Sequence, residues 1–198
     1  MFYPNIITGD ILVRAGDAKG PFGLPFSKLV KLCTNSQYSH ASIAFNEFGA
    51  IYVLETTAKG TFKSSLKDWM KSCSEGTFAV YRSHQINQKK VKEEIYKVIK
   101  KHPAYDYTFD DDNKYYCVEL VVDILMKSGM EVAPPKLVRE VLPWWGYYFI
   151  FYPINLLSGY ITHQKFPTDK PLYFVGNKNQ GLLSSPSFFK FAELRTPV

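Results

Sequence analysis

Apolar positions recur at helical spacing through the stretch Tyr115-Tyr116-Cys117-Val118-Glu119-Leu120-Val121-Val122-Asp123-Ile124-Leu125-Met126-Lys127-Ser128-Gly129. Leu120, Val121, Ile124, Leu125 and Ser128 share the side carrying Cys117, whereas Glu119, Asp123 and Lys127 are spaced for a wetter face. The pattern predicts a helix with Asp112 or Asn113 as its N-cap and Gly129 as a left-handed stop, so that Cys117 falls in the opening turn and points toward other protein. Earlier in the chain, Gly9-Asp10 followed by Ile11–Arg14 reads as a turn and a short strand. Gly16–Pro25 reads as a Gly/Pro-rich loop, and Phe26–Cys33 as a short helix with Phe26, Leu29, Val30 and Cys33 inward. Ser65 followed three residues later by Asp68 marks a short capped helix over Ser65–Met70. Val91, Ile95, Val98 and Ile99 form one stripe of a surface helix that begins at Gln88 and stops at His102, before Pro103. Leu172–Val175 and Ser187–Leu194 read as late strands, with Gly176-Asn177 and Gly181 as turn signals.

A different period governs residues 38–56. Tyr38–Phe45 and Ala50–Thr56 read as the arms of a β-hairpin joined by a four-residue loop, Asn46-Glu47-Phe48-Gly49. A loop centred between Glu47 and Phe48 sets Ala44 opposite Ile51, Ser42 opposite Val53 and His40 opposite Glu55. Directly opposed residues have Cβ atoms roughly 4.5 to 5.5 Å apart, so the carboxylate is within reach of one ring nitrogen while the other is left for a further partner. A slip of one residue would send the two groups to opposite faces.

A thiol in the first turn of a helix lies near unpaired amides and the positive end of the dipole, which favours thiolate. A free cysteine is also commonly just a small buried apolar residue, and the acidic run Asp110–Asp112 would oppose a thiolate close by. The conjunction with His40 and Glu55 tips the reading toward an orienter, base and nucleophile set: Glu55, His40 and Cys117. Cys33 reads as core, and His84, His102 and His163 as peripheral.

At 198 residues with 46% hydrophobic and 21% charged side chains, the composition is that of an ordinary globular protein and leads us to expect one domain. The net charge of +6 favours an anionic partner or surface, yet the densest lysine cluster, around Lys89–Lys101, reads as a solvated helix face with no nucleic-acid motif beside it. Cys33, Cys73 and Cys117 form no CxxC pair, which suggests neither a disulfide framework nor a thiol zinc site and fits a reducing compartment. The first ten residues lack a basic start followed by an apolar run, so the expected location is cytoplasmic. Asp110–Asp112 lack the glycine and terminal glutamate of a calcium loop, and no metal or other cofactor is expected. No charged side chain occurs between Val141 and Ile161. That length would suffice for a membrane span, but its two prolines, two glycines and many aromatics suit a folded cap over the site or a peripheral, lipid-facing or acyl-binding surface better.

Gly9-Asp10-Ile11-Leu12, Tyr38–Ile43, Val53-Leu54-Glu55, Leu66–Met70, and Tyr105-Asp106 leading to Tyr115–Val121 together resemble the permuted papain-like amidases of the YaeF/YiiX type, relatives of NlpC-type peptidases and lecithin:retinol acyltransferase. The resemblance covers roughly residues 9–128 and has histidine before cysteine, the reverse of papain. It implies an α+β, permuted papain-like fold. A small antiparallel sheet, entered through Thr77–Arg82, would pack against the N-terminal part of the cysteine helix, with an aromatic-rich C-terminal elaboration beyond. The expected division is a single domain over 1–198, with its core at about 6–130 and the aromatic extension at about 131–198. The resemblance also implies Cys117 as nucleophile, His40 as base and Glu55 as third member; Val118 stands where the family commonly has serine. The expected activity is cysteine-dependent hydrolysis of an amide bond, peptide or peptidoglycan-like, through a thioester. The alternatives are a lipid acyl hydrolase or transferase with the same residues, and a non-catalytic binding module at a membrane or anionic surface. Tyr38 and Tyr116 are candidate oxyanion or substrate-binding hydroxyls, beside an amide at the start of the cysteine helix.

Overall fold

A computed structural model describes residues 5–16, 26–73, 76–106, 109, 111, 113–153, 155–156 and 168–195, without the side chains of Phe26, Leu29, Leu32, Cys33 and Ile150. The inward placement expected for Phe26, Leu29 and Cys33 therefore lies outside the described residues, as do His163, Asp110 and Asp112. The fold is α+β. Strands β1 (Ile11–Arg14), β2 (His40–Glu47), β3 (Ala50–Thr57), β4 (Gly60–Ser65), β5 (Thr77–Ser83) and β6 (Phe188–Arg195) form one six-stranded sheet in the order β4-β3-β2-β1-β5-β6. Every neighbouring pair in it is antiparallel. Helices α1 (Phe26–Cys33), α2 (Leu66–Lys71), α3 (Gln88–Lys101) and α4 (Cys117–Lys127) lie on the stretches expected to be helical.

The two faces of the sheet bury different apolar sets, as strand alternation requires. Ile11, Val13, Ala41, Ile43, Phe45 and Leu54 pack with the inward stripes of α3 and α4, while Leu12, Ala44, Val53, Phe78 and Val80 pack with Trp69 and Met70 of α2. Gly9 opens β1 at φ +94°, and Asp10 beside it is buried, accepting from Ile7 N–H and taking both ends of the Arg82 guanidinium at 2.7 and 2.8 Å. That pairing fixes the end of β1 against β5.

Four expectations change. The hairpin turns on two residues, Phe48 at φ +51° and Gly49 at φ +84°, the conformation that matches strand twist, so Glu47 pairs with Ala50 and Ala44 with Val53. The register is thus displaced by two positions, and an even shift keeps every side chain on its face. Next, α4 starts at Cys117 with Tyr116 as N-cap, because Tyr115 is held in a bridge with Tyr105, its N–H donating to the Ala104 carbonyl and its carbonyl accepting from Asp106 N–H. An edge strand, β4, appears where none was expected, since Gly60–Ser65 carries few apolar residues. Finally, Leu172–Val175 is no strand: Leu172 makes a single bridge with Lys136.

Beyond α4 come α5 (Val138–Val141), α6 (Trp144–Gly146) and a π-helical segment, Tyr147–Phe151. No helix among the described residues is long and apolar enough to cross a membrane.

Candidate active site

Strand pairing sets Arg14 directly across from His40, and one step beyond the Ile43–Leu54 pair brings Glu55 beside Ser42, two positions along β2 from His40. The three side chains share one face of the sheet, and they meet there. His40 Nε2 lies 2.7 Å from Glu55 Oε2, a carboxylate that is buried. The same oxygen accepts from Arg14 Nη2 at 3.1 Å and from Trp69 Nε1 at 3.2 Å. Arg14 also donates to the Ser72 carbonyl and lies 5.2 Å from the Trp69 ring centroid.

His40 also has Cys117 as a side-chain partner. Burial disfavours a charged imidazole, but the Cys117 charge and hydrogen bond, followed by those of Glu55, outweigh it and hold His40 up at about 9. Burial likewise pushes the Cys117 thiol up. The positive imidazole, its hydrogen bond and the backbone N–H groups of Ala41 and Val118 more than offset this, so the thiol lies below its ordinary 9.0. Burial also raises Glu55, and the His40 and Arg14 contacts bring it below its ordinary value. Each shift favours the charged form of its group, thiolate at Cys117, imidazolium at His40 and carboxylate at Glu55. Cys73, by contrast, is pushed up by burial to about 11 despite Arg14 nearby.

Cys117, His40 and Glu55 are thus brought together. The two tyrosines are placed differently. Tyr38 is buried with Lys190 and Glu193 as charged neighbours, and Tyr116 lines a cavity with its hydroxyl accepting from Tyr173 N–H at 2.8 Å. Asp111, feared as a repulsive neighbour, is paired with Lys114 at 2.7 Å. His84 stacks on Phe189, and His102 caps α3 in the left-handed conformation. Sequence reasoning missed Arg14 and Trp69. A charged residue closing an otherwise apolar strand was the available signal for Arg14, and a lone tryptophan in a six-residue helix was a fainter one for Trp69.

Cys117 opens onto a cavity of about 100 Å³ whose walls include Val118, Val138, Leu142, Phe151 and Leu172. Its lining is almost wholly apolar, so it suits a hydrocarbon group better than a charged one.

A family model described as permuted papain-like amidase enzyme, YaeF/YiiX, C92 family, matches residues 23–145. Five solved chains match the fold. One of them is the crystal structure of metalloprotein yiiX from Escherichia coli O157:H7, 20% identical, covering 96% of this chain and 98% of that one with a TM-score of 0.74. No curated protein sequence matches. Among the described residues, no group of three or more His, Cys, Asp or Glu side chains is arranged to hold a metal ion.

Proposed function

This chain belongs to the permuted papain-like amidase family of the YaeF/YiiX type, and from that premise we propose that it is a cysteine hydrolase acting through Cys117, His40 and Glu55. The observation that carries the reading is the 2.7 Å contact between His40 Nε2 and the buried Glu55 Oε2, on an imidazole that also has Cys117 as a side-chain partner. The thiolate attacks the acyl carbonyl, and the oxyanion forms beside the N-terminus of α4, where first-turn N–H groups have no helical acceptor. The imidazolium passes its proton to the leaving amine as the C–N bond breaks, leaving a thioester on Cys117. Neutral His40 then takes a proton from water, hydroxide displaces the sulfur, and the acid departs with the thiolate–imidazolium pair restored. Glu55 holds the imidazole in one orientation and stabilises its charged form throughout.

The apolar cavity beside the thiol favours a second reading of the substrate, an ester or amide of an apolar acyl group, with the same residues and steps. Mass-spectrometric alkylation at neutral pH tests the shared chemistry: Cys117 should react well before Cys33 and Cys73, and His40→Ala should lose the preference. Equal reaction of the three thiols would leave a binding module instead of an enzyme. A panel of acyl amides and esters of graded chain length then selects the substrate. Turnover rising with an apolar acyl chain favours the second reading, and turnover confined to peptide-like amides favours the first.

A further inference from the structure

We propose that the outer face of residues 144–156 is a membrane-docking surface that seats the protein on an anionic lipid bilayer. Six of the large apolar side chains exposed among the described residues fall within this short stretch: Trp144 (69%), Trp145, Tyr148 (62%), Phe149 (72%), Tyr152 and Leu156. Trp144, Tyr148, Tyr152 and Leu156 recur every four residues, with Trp145 and Phe149 beside them, so α6, the π-helical segment and the turn after it present one continuous aromatic stripe. The alternate positions Gly146, Tyr147 and Asn155 are buried. The stripe is therefore outside by construction.

The chemistry of the stripe indicates what covers it. Trp and Tyr favour the boundary between headgroups and acyl chains. No charged side chain interrupts residues 141–161; Lys136 and Arg139 outnumber Glu140 just before them, and the chain as a whole carries net charge +6, a sign that complements acidic headgroups. The inner side of the same segment supplies Val141, Leu142 and Phe151 to the cavity at Cys117. A bilayer on the outer side would thus lie one layer of side chains from the cavity.

Vesicles of phosphatidylcholine with phosphatidylglycerol test the idea by sedimentation and by fluorescence. The wild-type protein should sediment with the vesicles, and Trp144→Ala/Phe149→Ala should partition at least about tenfold more weakly while Cys117 alkylates at the wild-type rate. In the unmutated protein, brominated acyl chains should quench the exposed Trp144 and Trp145 and spare the buried Trp69. Wild-type protein that stays in the supernatant, unquenched tryptophans, or equal partitioning of the two proteins would overturn the proposal. So would a wild-type dimer in sedimentation equilibrium that the double substitution dissolves, since a second copy would then own the stripe. Vesicle binding is read without turnover, so its failure leaves the hydrolase reading standing, and loss of Cys117 reactivity leaves the docking result interpretable.

Discussion

Replacing Glu55 with Gln removes the carboxylate charge 2.7 Å from His40 Nε2 while keeping an oxygen of the same reach. An opposite charge within hydrogen-bond distance shifts a buried group by about 1 to 3 units. Cys117 supplies the larger upward push on His40 and Glu55 the smaller, so the expected fall is about 1 to 2 units, or roughly 1.4 to 2.7 kcal/mol. In the wild-type protein the folded value of about 9 lies above the ordinary 6.5. The proton on His40 therefore stabilises the fold fully below about 6.5, and this contribution is lost as pH rises through about 9. In Glu55→Gln that loss should be smaller and complete at lower pH. Titration of the imidazole followed by NMR, with the His40 signal assigned by His40→Gln, reads the shift directly. The same substitution strands the Arg14 guanidinium, and losing one partner of a buried ion pair destabilises by about 3 to 5 kcal/mol, so a fall in Tm accompanies the shift. A fall in Tm with the imidazole still titrating near its wild-type value would refute the reasoning, because Glu55 would then be only a structural partner of Arg14.

Three further outcomes are expected. Hydrolysis should follow a bell-shaped pH profile whose acid limb lies below the ordinary thiol value of 9.0 and whose alkaline limb lies near 9, where the imidazolium that protonates the leaving group is lost; kcat/KM measured across pH checks both limbs. Arg14→Met should destabilise by up to about 3 to 5 kcal/mol in urea unfolding by taking from buried Glu55 one of its two cationic partners, and Arg14→Lys should recover part of that loss. Gly49→Ala should cost about 1 kcal/mol in the same assay: an added Cβ meets nothing within 4 Å, so the penalty is that of holding φ +84° alone.

The parts of the site that could be read from the chain are those set by local periodicity. The phase of α4 follows from apolar spacing alone, and the structure buries Leu120, Val121, Ile124 and Leu125 as that spacing requires. Its start did not follow, since Tyr115 is held out of the helix by a bridge to Tyr105, ten residues upstream. The hairpin shows how a wrong count can leave a contact intact. Phe48 adopts a left-handed conformation that few aromatic residues favour, so propensity pointed to a longer loop. The resulting error of two positions preserved the face of every side chain, and His40 and Glu55 still meet, diagonally instead of directly. An error of one would have separated them.

Arg14 and Trp69 belong to another category, because their approach to Glu55 depends on β1 lying beside β2 and α2 packing on that same face. No local pattern specifies that order of strands. It nevertheless decides the electrostatics of the site: Glu55 accepts from three donors on one oxygen, only one of which is the imidazole. A carboxylate so buried and unpaired would tend to take up a proton, and a protonated Glu55 has no negative charge with which to stabilise the imidazolium. Keeping it ionised by a second cation opposes the imidazolium somewhat, yet leaves it a charged partner at a pH where a solitary buried acid would be neutral. The charge of the proposed third member thus rests on Arg14, a residue of the first strand whose neighbours are set by the sheet.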